Sequence, residues 1–567
     1  MNAKHLPVLL YGLAVLLAVF AYFYGLDSQY IPKNGDEYPY AHITRLTAES
    51  GHLLPLQSQL DHMRDTKPPL LFWQGIAATD WGQDWDLWHL RIPSVIYTLL
   101  TALLVFVLTL RLSGKTETGL VAVLAWLAFF STYRYGRPFL ANPPEVFWMT
   151  LPFFILLSLP RATFDSRLTA PLLLGLALGV GLLYKSFALL APAGITLAWW
   201  YLHQRRYNWH AFITRDGAKL TIIVAAALAV FALWFALDPN PGAVWREFVL
   251  RENLGKLDAH GAGYFSTLLW GGSSVWALLL GYPLNAGLLA VPVAALMWAA
   301  WRRRAEMRDA EKMLWMLVAV LFLVFALPSQ RSARYLLEGM PALAVLLAMG
   351  WQRVGRWAFA VSLGLAGLAL ALFGFLSRHL QHALGGTLYP AAWWLLLGAA
   401  IALIAAGLVL PRLTRPFALV APFVVYLSFS LFLQPFDGAF GHYSSHALSD
   451  VRGKMVWTPC DFRAKDEGHR FLLPGARVSG YYESAALTPA ELAKRYRMFA
   501  VQLPLGEQPA CEACTVIGSR LEIRGRQSGA EIKDMLKGNV FPHLFVREWL
   551  VESASAPADP AHEQVCR

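Results

Sequence analysis

Apolar residues fall in long runs along this chain, near 6–26, 91–111, 117–131, 145–160, 169–184, 187–202, 219–237, 277–301, 311–327, 336–352, 356–377, 391–411 and 416–434. A helix rising 1.5 Å per residue needs about 20 such residues to cross a hydrocarbon core, so the pattern predicts about 13 transmembrane helices. Two polar intervals between runs are long, about 27–90 and 238–276. In the first, Pro68-Pro69 followed by an apolar-aromatic stretch predicts a helix lying in the membrane interface. From about 435 the runs stop. Stretches at 476–482, 498–503, 515–523 and 544–551 read as strands, and 488–496 and 530–536 as helices, which predicts a small α/β domain. Thr488-Pro489-Ala490-Glu491 has the form of an N-cap, a proline at the first helical position and a glutamate at the third. The expected organisation is a membrane portion, 1–434, carrying the two long loops, and a soluble α/β domain, 435–567.

Composition agrees with a membrane protein: 56% of the 567 residues are hydrophobic and 22 are Trp. The formal net charge of +11 does not point to nucleic acid, because Lys and Arg sit in short loops between apolar runs rather than on one polar face. Anionic headgroups are the expected partner. With the N-terminus placed in the cytoplasm, every inner loop is basic, including Arg205-Arg206 and Arg302-Arg303-Arg304. The first run is as long as a full span and has no small-x-small cleavage pattern, so it is expected to remain as a helix. The same topology puts the region after 435 outside.

The cysteines concur. Cys460, Cys511, Cys514 and Cys566 all lie in that last region. An even count in one polar domain suggests disulfides formed in an oxidising compartment, with three pairings open; a redox or metal role for Cys511-x-x-Cys514 is the rival reading.

Cations on the outer side run against the charge bias. Lys67, Arg134, Arg137, Lys185, Arg251, Arg331 and Arg334 occupy outer loops or outer span ends. Some snorkel to headgroups; the others suit an anion site for a lipid phosphate. Asp36 and Glu37 follow the first span closely, where charge is costly and usually has a task. His260, in the second long loop, reads more readily as hydrogen-bonded structure than as a metal ligand, and with the acidic loop residues it leaves a divalent metal open as a cofactor.

Several motifs occur in order: Asp36-Glu37-x-x-Tyr40-Ala41-x-Ile43, Lys67-Pro68-Pro69-Leu70-x-x-Trp73, Trp88-x-x-Arg91-Ile92-Pro93-Ser94, Leu183-Tyr184-Lys185, Arg251-Glu252-Asn253 and Pro328-Ser329-Gln330-Arg331-Ser332-Ala333-Arg334-Tyr335-Leu336. The set resembles the polyprenyl-phosphate-sugar-dependent glycosyltransferases of GT-C fold, among them the bacterial lipid A aminoarabinose transferases and the protein O-mannosyltransferases. The resemblance implies a glycosyltransferase of the bacterial inner membrane. It would move a sugar from undecaprenyl phosphate to a hydroxyl or phosphate acceptor at the periplasmic face, the acceptor being lipid A, another envelope glycan or a protein. It further implies that Asp36 is the catalytic carboxylate with Glu37 beside it, and that Lys67 holds the donor phosphate. Lys185, Arg251, Arg331, Arg334 and Tyr335 would assist Lys67. Where the family carries a second acid in an R-x-x-x-x-D pattern, this chain has Asn142 after Arg137, with Glu145 three residues on. Asn142, Glu145 and His260 are the candidate contacts to acceptor or sugar. The family often has an acid where Thr66 stands here, and the two departures leave the sugar and the acceptor open. A transporter or flippase of a lipid-linked saccharide is the alternative of a different class. It would be expected to show inverted repeats and helices broken near the midplane; neither is evident, and the charge sits in outer loops rather than mid-span.

Overall fold

The computed structural model describes residues 6–31, 34–60, 64–65, 67–257, 264–385, 388–482 and 487–556. It is mostly helical, with helix on each of the apolar runs. Among the described residues six helices are long and apolar enough to cross a membrane, or seven if the bent pair Thr116–Ala128 and Phe130–Gly136, kinked by 62°, is one span. Several others are shorter, such as α1 (Leu6–Phe23), because Gly, Pro and polar residues end them before a full crossing length.

The helix boundaries follow local chemistry. The Asp86 side chain accepts from the His89 backbone N–H at the start of α4 (Leu87–Ser113), and Gly114 ends it in a left-handed conformation at φ 68°. The helix Thr169–Leu182 approaches Trp209–Leu237 closely through Gly175 and Gly179. A Cβ at these positions would lie 2.5 Å from the Ile223 carbonyl oxygen and 2.6 Å from the Val230 side chain. Small residues four apart let two helices pack tightly where no hydrophobic force drives them together.

The long first loop contains two helices, α2 (Glu37–Glu49) and α3 (Leu70–Ala78). The first is absent from the hydropathy pattern. The second lies on the stretch expected to be interfacial, and it buries Leu71, Phe72, Gly75 and Ile76. A Cβ on Gly75 would meet Phe139 at 2.7 Å and Thr44 at 2.8 Å, so α3 packs against α2 as well as the bundle.

Five strands form one sheet in the C-terminal part, β1 (Met455–Cys460), β2 (Arg477–Tyr482), β3 (Met498–Leu503), β4 (Cys514–Ile523) and β5 (Phe545–Ser553), in the order β2-β1-β3-β5-β4. β1 runs parallel to β2 and β3, and β5 antiparallel to β3 and β4. Four of the strands match the sequence pattern. The fifth, β1, does not: Pro459 within it lacks an N–H for the ladder. Thr488 forms the expected capping box with Glu491.

This sheet is keyed onto the loop that carries Asp36. On the helix Lys465–Leu472, Glu467 is fully buried and accepts from Arg45 Nε at 2.9 Å and Nη2 at 3.0 Å. His42 Nδ1 lies 3.3 Å from the same carboxylate. Tyr38 stacks on Phe471, and a Cβ on Gly468 would lie 2.9 Å from the Tyr38 ring. Cys511 and Cys514 are joined in a disulfide, and Cys460 is disulfide-bonded as well. Cys566 lies outside the described residues, as do Thr66 and His260.

Candidate active site

Aspartate at a helix N-cap ordinarily accepts a hydrogen bond from its own helix. Asp36 occupies the N-cap of α2 without doing so. Its backbone N–H donates to Asn34 Oδ1 at 3.1 Å, which fixes the turn, and its half-exposed carboxylate faces a cavity of about 480 Å³.

Three cations from distant segments face the same cavity. Lys67 is placed by the rigid Pro68-Pro69 entry to α3. Lys185 lies in the turn after Thr169–Leu182, where the neighbouring Tyr184 hydroxyl meets Tyr97 at 3.2 Å and Gln74 Oε1 at 3.1 Å. Arg334 lies in a 3₁₀ turn, Ala333–Gly339, whose start is capped by Ser332. Asn142, at the start of α7 (Asn142–Ser158), and Tyr335 belong to the same polar lining. Phe187, Leu189, Leu254 and Phe325 form an apolar wall.

Each cation has a carboxylate partner. Arg334 Nη1 pairs with Asp36 Oδ2, while its Nε and Nη2 donate to Asn142 Oδ1 at 2.9 and 2.6 Å. Lys185 Nζ is 2.7 Å from the Glu145 carboxylate and 3.7 Å from Glu338. Burial pushes the Lys185 ammonium down, but Glu145 and then Glu338 outweigh it, so the group sits above the ordinary lysine value and stays charged. Lys67 Nζ donates to Glu252 Oε1 at 3.0 Å.

The structure thus brings Asp36, Lys67, Lys185, Arg334, Tyr335 and Asn142 to one cavity. Glu145 lies directly behind it, fully buried, accepting from Asn142 Nδ2 at 3.1 Å. Three expectations need correction. Glu37 does not face the cavity. As the first residue of α2 it turns inward, where Arg91 Nε and Nη2 each donate to its carboxylate at 2.7 Å and the Phe139 N–H donates at 2.8 Å. Arg251 is exposed and absent from the lining, since its π-helical segment, Trp245–Asn253, turns Glu252 and Asn253 to the cavity instead. Arg331 is buried and donates to the carbonyls of Ala326 at 2.7 Å and Ser273 at 3.1 Å, so it ties loops together rather than facing the cavity.

Sequence reasoning assigned no role to Glu252 or Glu338. The signal for Glu252 was its place beside Arg251, since neighbours on a helical turn cannot face one way. Among the described residues no three His, Cys, Asp or Glu side chains gather as a metal site would require.

A shaped cavity with fixed cations, an adjacent carboxylate and an apolar wall can hold a phosphate attached to a lipid chain and position a hydroxyl beside Asp36. The family described as dolichyl-phosphate-mannose-protein mannosyltransferase matches residues 9–243. The undecaprenyl phosphate-alpha-4-amino-4-deoxy-L-arabinose arabinosyl transferase of Pectobacterium carotovorum subsp. carotovorum (strain PC1) is 30% identical over 397 residues, 65% of this chain and 66% of that protein. Its counterpart, transferase 2 of Pseudomonas fluorescens (strain Pf0-1), is 28% identical over 381 residues, 65% and 64% of the two chains. These matches span just under two thirds of the relatives' own length. The structure of ArnT from Cupriavidus metallidurans bound to undecaprenyl phosphate superposes with a TM-score of 0.60 at 18% identity, over 98% of this chain and 100% of that one, a likeness of fold. The chain resembles the polyprenyl-phosphate-sugar glycosyltransferases in sequence and in fold.

Proposed function

We infer that this protein is a membrane glycosyltransferase that moves a sugar from a polyprenyl phosphate to a hydroxyl or phosphate acceptor of the envelope, with lipid A the foremost candidate. The observation that carries the reading is convergence: Asp36, Lys67, Lys185 and Arg334, from four separate stretches, line one cavity together with an apolar wall. The relatives' names supply the donor class, undecaprenyl phosphate carrying an aminoarabinose.

The chemistry follows from the groups present. The donor phosphate sits among Lys67, Lys185 and Arg334, and its chain runs along Phe187, Leu189, Leu254 and Phe325. The acceptor hydroxyl approaches Asp36, which takes its proton as the oxygen attacks the anomeric carbon from the face opposite the phosphate. One displacement inverts that carbon. The bond to the phosphate breaks, the phosphate leaves with an added negative charge, and the cations stabilise that charge as it develops. No general acid is required.

In this reading about 13 spans place the N-terminus in the cytoplasm. Residues 1–434 form the transferase portion in the inner membrane, and 435–567 a periplasmic α/β domain that buttresses the Asp36 loop through Glu467. The experiment is mass spectrometry of envelope lipids and glycoproteins from a strain lacking the protein. Loss of one glycoform with accumulation of one undecaprenyl-phosphate sugar is the expected result. An unchanged envelope with normal donor levels would contradict it.

A further inference from the structure

Of the three cation–carboxylate pairs around the cavity, that of Lys67 and Glu252 differs from the others. Asp36 is the reagent, and Glu145 is fully buried behind the wall. Glu252 lines the cavity itself, and its side chain, 28% exposed, has more access to water than that of Lys67, at 15%. Its root is fixed. The next residue, Asn253, accepts from Ser186 Oγ at 2.6 Å and donates to the Phe248 carbonyl at 2.7 Å, which anchors the segment to the Lys185 turn. Glu252 is therefore a carboxylate held at the phosphate-binding lysine, with solvent to turn into when displaced.

That arrangement bears on product release, given the transferase reading above. The donor is a phosphodiester with one negative charge. The product is a monoester, which carries close to two at neutral pH. Three uncontested cations would hold product more tightly than donor, and turnover would stall. We propose that Glu252 is an internal competitor for Lys67 that expels the polyprenyl monophosphate product. The donor displaces it on entry, and after transfer its carboxylate reclaims the ammonium as the monoester departs. Glu252 makes no covalent bond and moves no proton in this step.

The test uses the full-length enzyme and undecaprenyl phosphate as the probe, with binding measured directly and as inhibition of transfer. E252Q keeps the side chain's size and removes its charge. It is expected to bind undecaprenyl phosphate about fivefold more tightly, near the upper end for a partly exposed pair. Its kcat should fall without a rise in donor KM, a split that a merely structural defect would not produce. E252D, which keeps the charge on a side chain one methylene shorter, should tighten product binding less than E252Q, and E252A should repeat the E252Q tightening. In a K67A background E252Q should tighten nothing. Product affinity unchanged or weakened in both E252Q and E252A, or tightening that persists without Lys67, would overturn the proposal. Wild-type enzyme that neither binds undecaprenyl phosphate nor transfers a sugar would instead overturn the transferase reading, and the proposal with it.

Discussion

Asp36 and Arg334, 298 positions apart in the chain, form an ion pair at the cavity, and the remaining face of the same guanidinium is taken by Asn142. One planar fork therefore spaces the proposed base from α7. Lysine cannot reproduce that fork. Arg334→Lys should express normally and lose about a hundredfold in transfer rate, the scale on which a 1 Å misplacement is felt. Rates at saturating donor, normalised to folded protein, are the measurement; a wild-type rate would make the bridge incidental.

Glu37 should matter to folding and not to chemistry. Its carboxylate and Arg91 are both buried, at 2% and 0% exposure, and breaking such a pair from one side costs about 3–5 kcal/mol. Glu37→Gln should lower the thermal unfolding temperature and the yield, while the fraction that folds transfers at close to the wild-type rate. Normal stability with lost transfer would return Glu37 to the catalytic role expected from the sequence.

Acid should loosen the contact between the sheet and α2. Burial alone would raise the Glu467 carboxyl, but Arg45 and His42 overcome it and hold it down at about 2. A carboxylate depressed in the fold contributes stability that is complete above its unfolded value near 4.5 and is lost as pH falls from there towards 2. Thermal unfolding followed from pH 7 downward should therefore fall more steeply in the wild type than in Glu467→Gln below about pH 4.5, the variant being already destabilised at neutral pH. Parallel curves would contradict the assignment.

Orientation is open to a direct test. Alkaline phosphatase fused after Ser445 should be active and a fusion after Arg303 inactive, because the basic loops predict the cytoplasmic side for the second. The opposite pattern would put Asp36 in the cytoplasm and remove the proposed periplasmic reaction.

The helices and most of the cavity were legible in the sequence for physical reasons. Apolar runs have to be helical in a bilayer, and Lys67, Lys185 and Arg334 stood out as cations on the side that the expected topology leaves without them. What the pattern did not convey was direction. Asp36 and Glu37 are adjacent, yet the turn into α2 sends one to the cavity and the other to Arg91. Arg251 and Glu252 divide in the same way on their π-helical segment. Arg331 and Arg334 are three apart, but the nearby Ala326 carbonyl and the Ser273 carbonyl, 58 positions away, capture the first. Such contacts are set by tertiary packing and leave no local periodicity. The strand β1 escaped for a different cause, since Pro459 falls inside it and proline reads against a strand.

The claim that most needs testing is that Asp36 is the base. Asp36→Asn keeps the side chain's shape, and because Asp36 is half-exposed and does not cap α2, the fold should survive. Loss of general-base assistance lowers rates by about a hundred- to ten-thousand-fold. The measurement is in vitro transfer from a polyprenyl-phosphate sugar to a membrane extract, with donor binding followed in parallel. The account predicts normal expression, retained donor binding and almost no transfer for Asp36→Asn. Transfer within a few-fold of wild type would contradict it and would move the alternative of a lipid-saccharide transporter ahead.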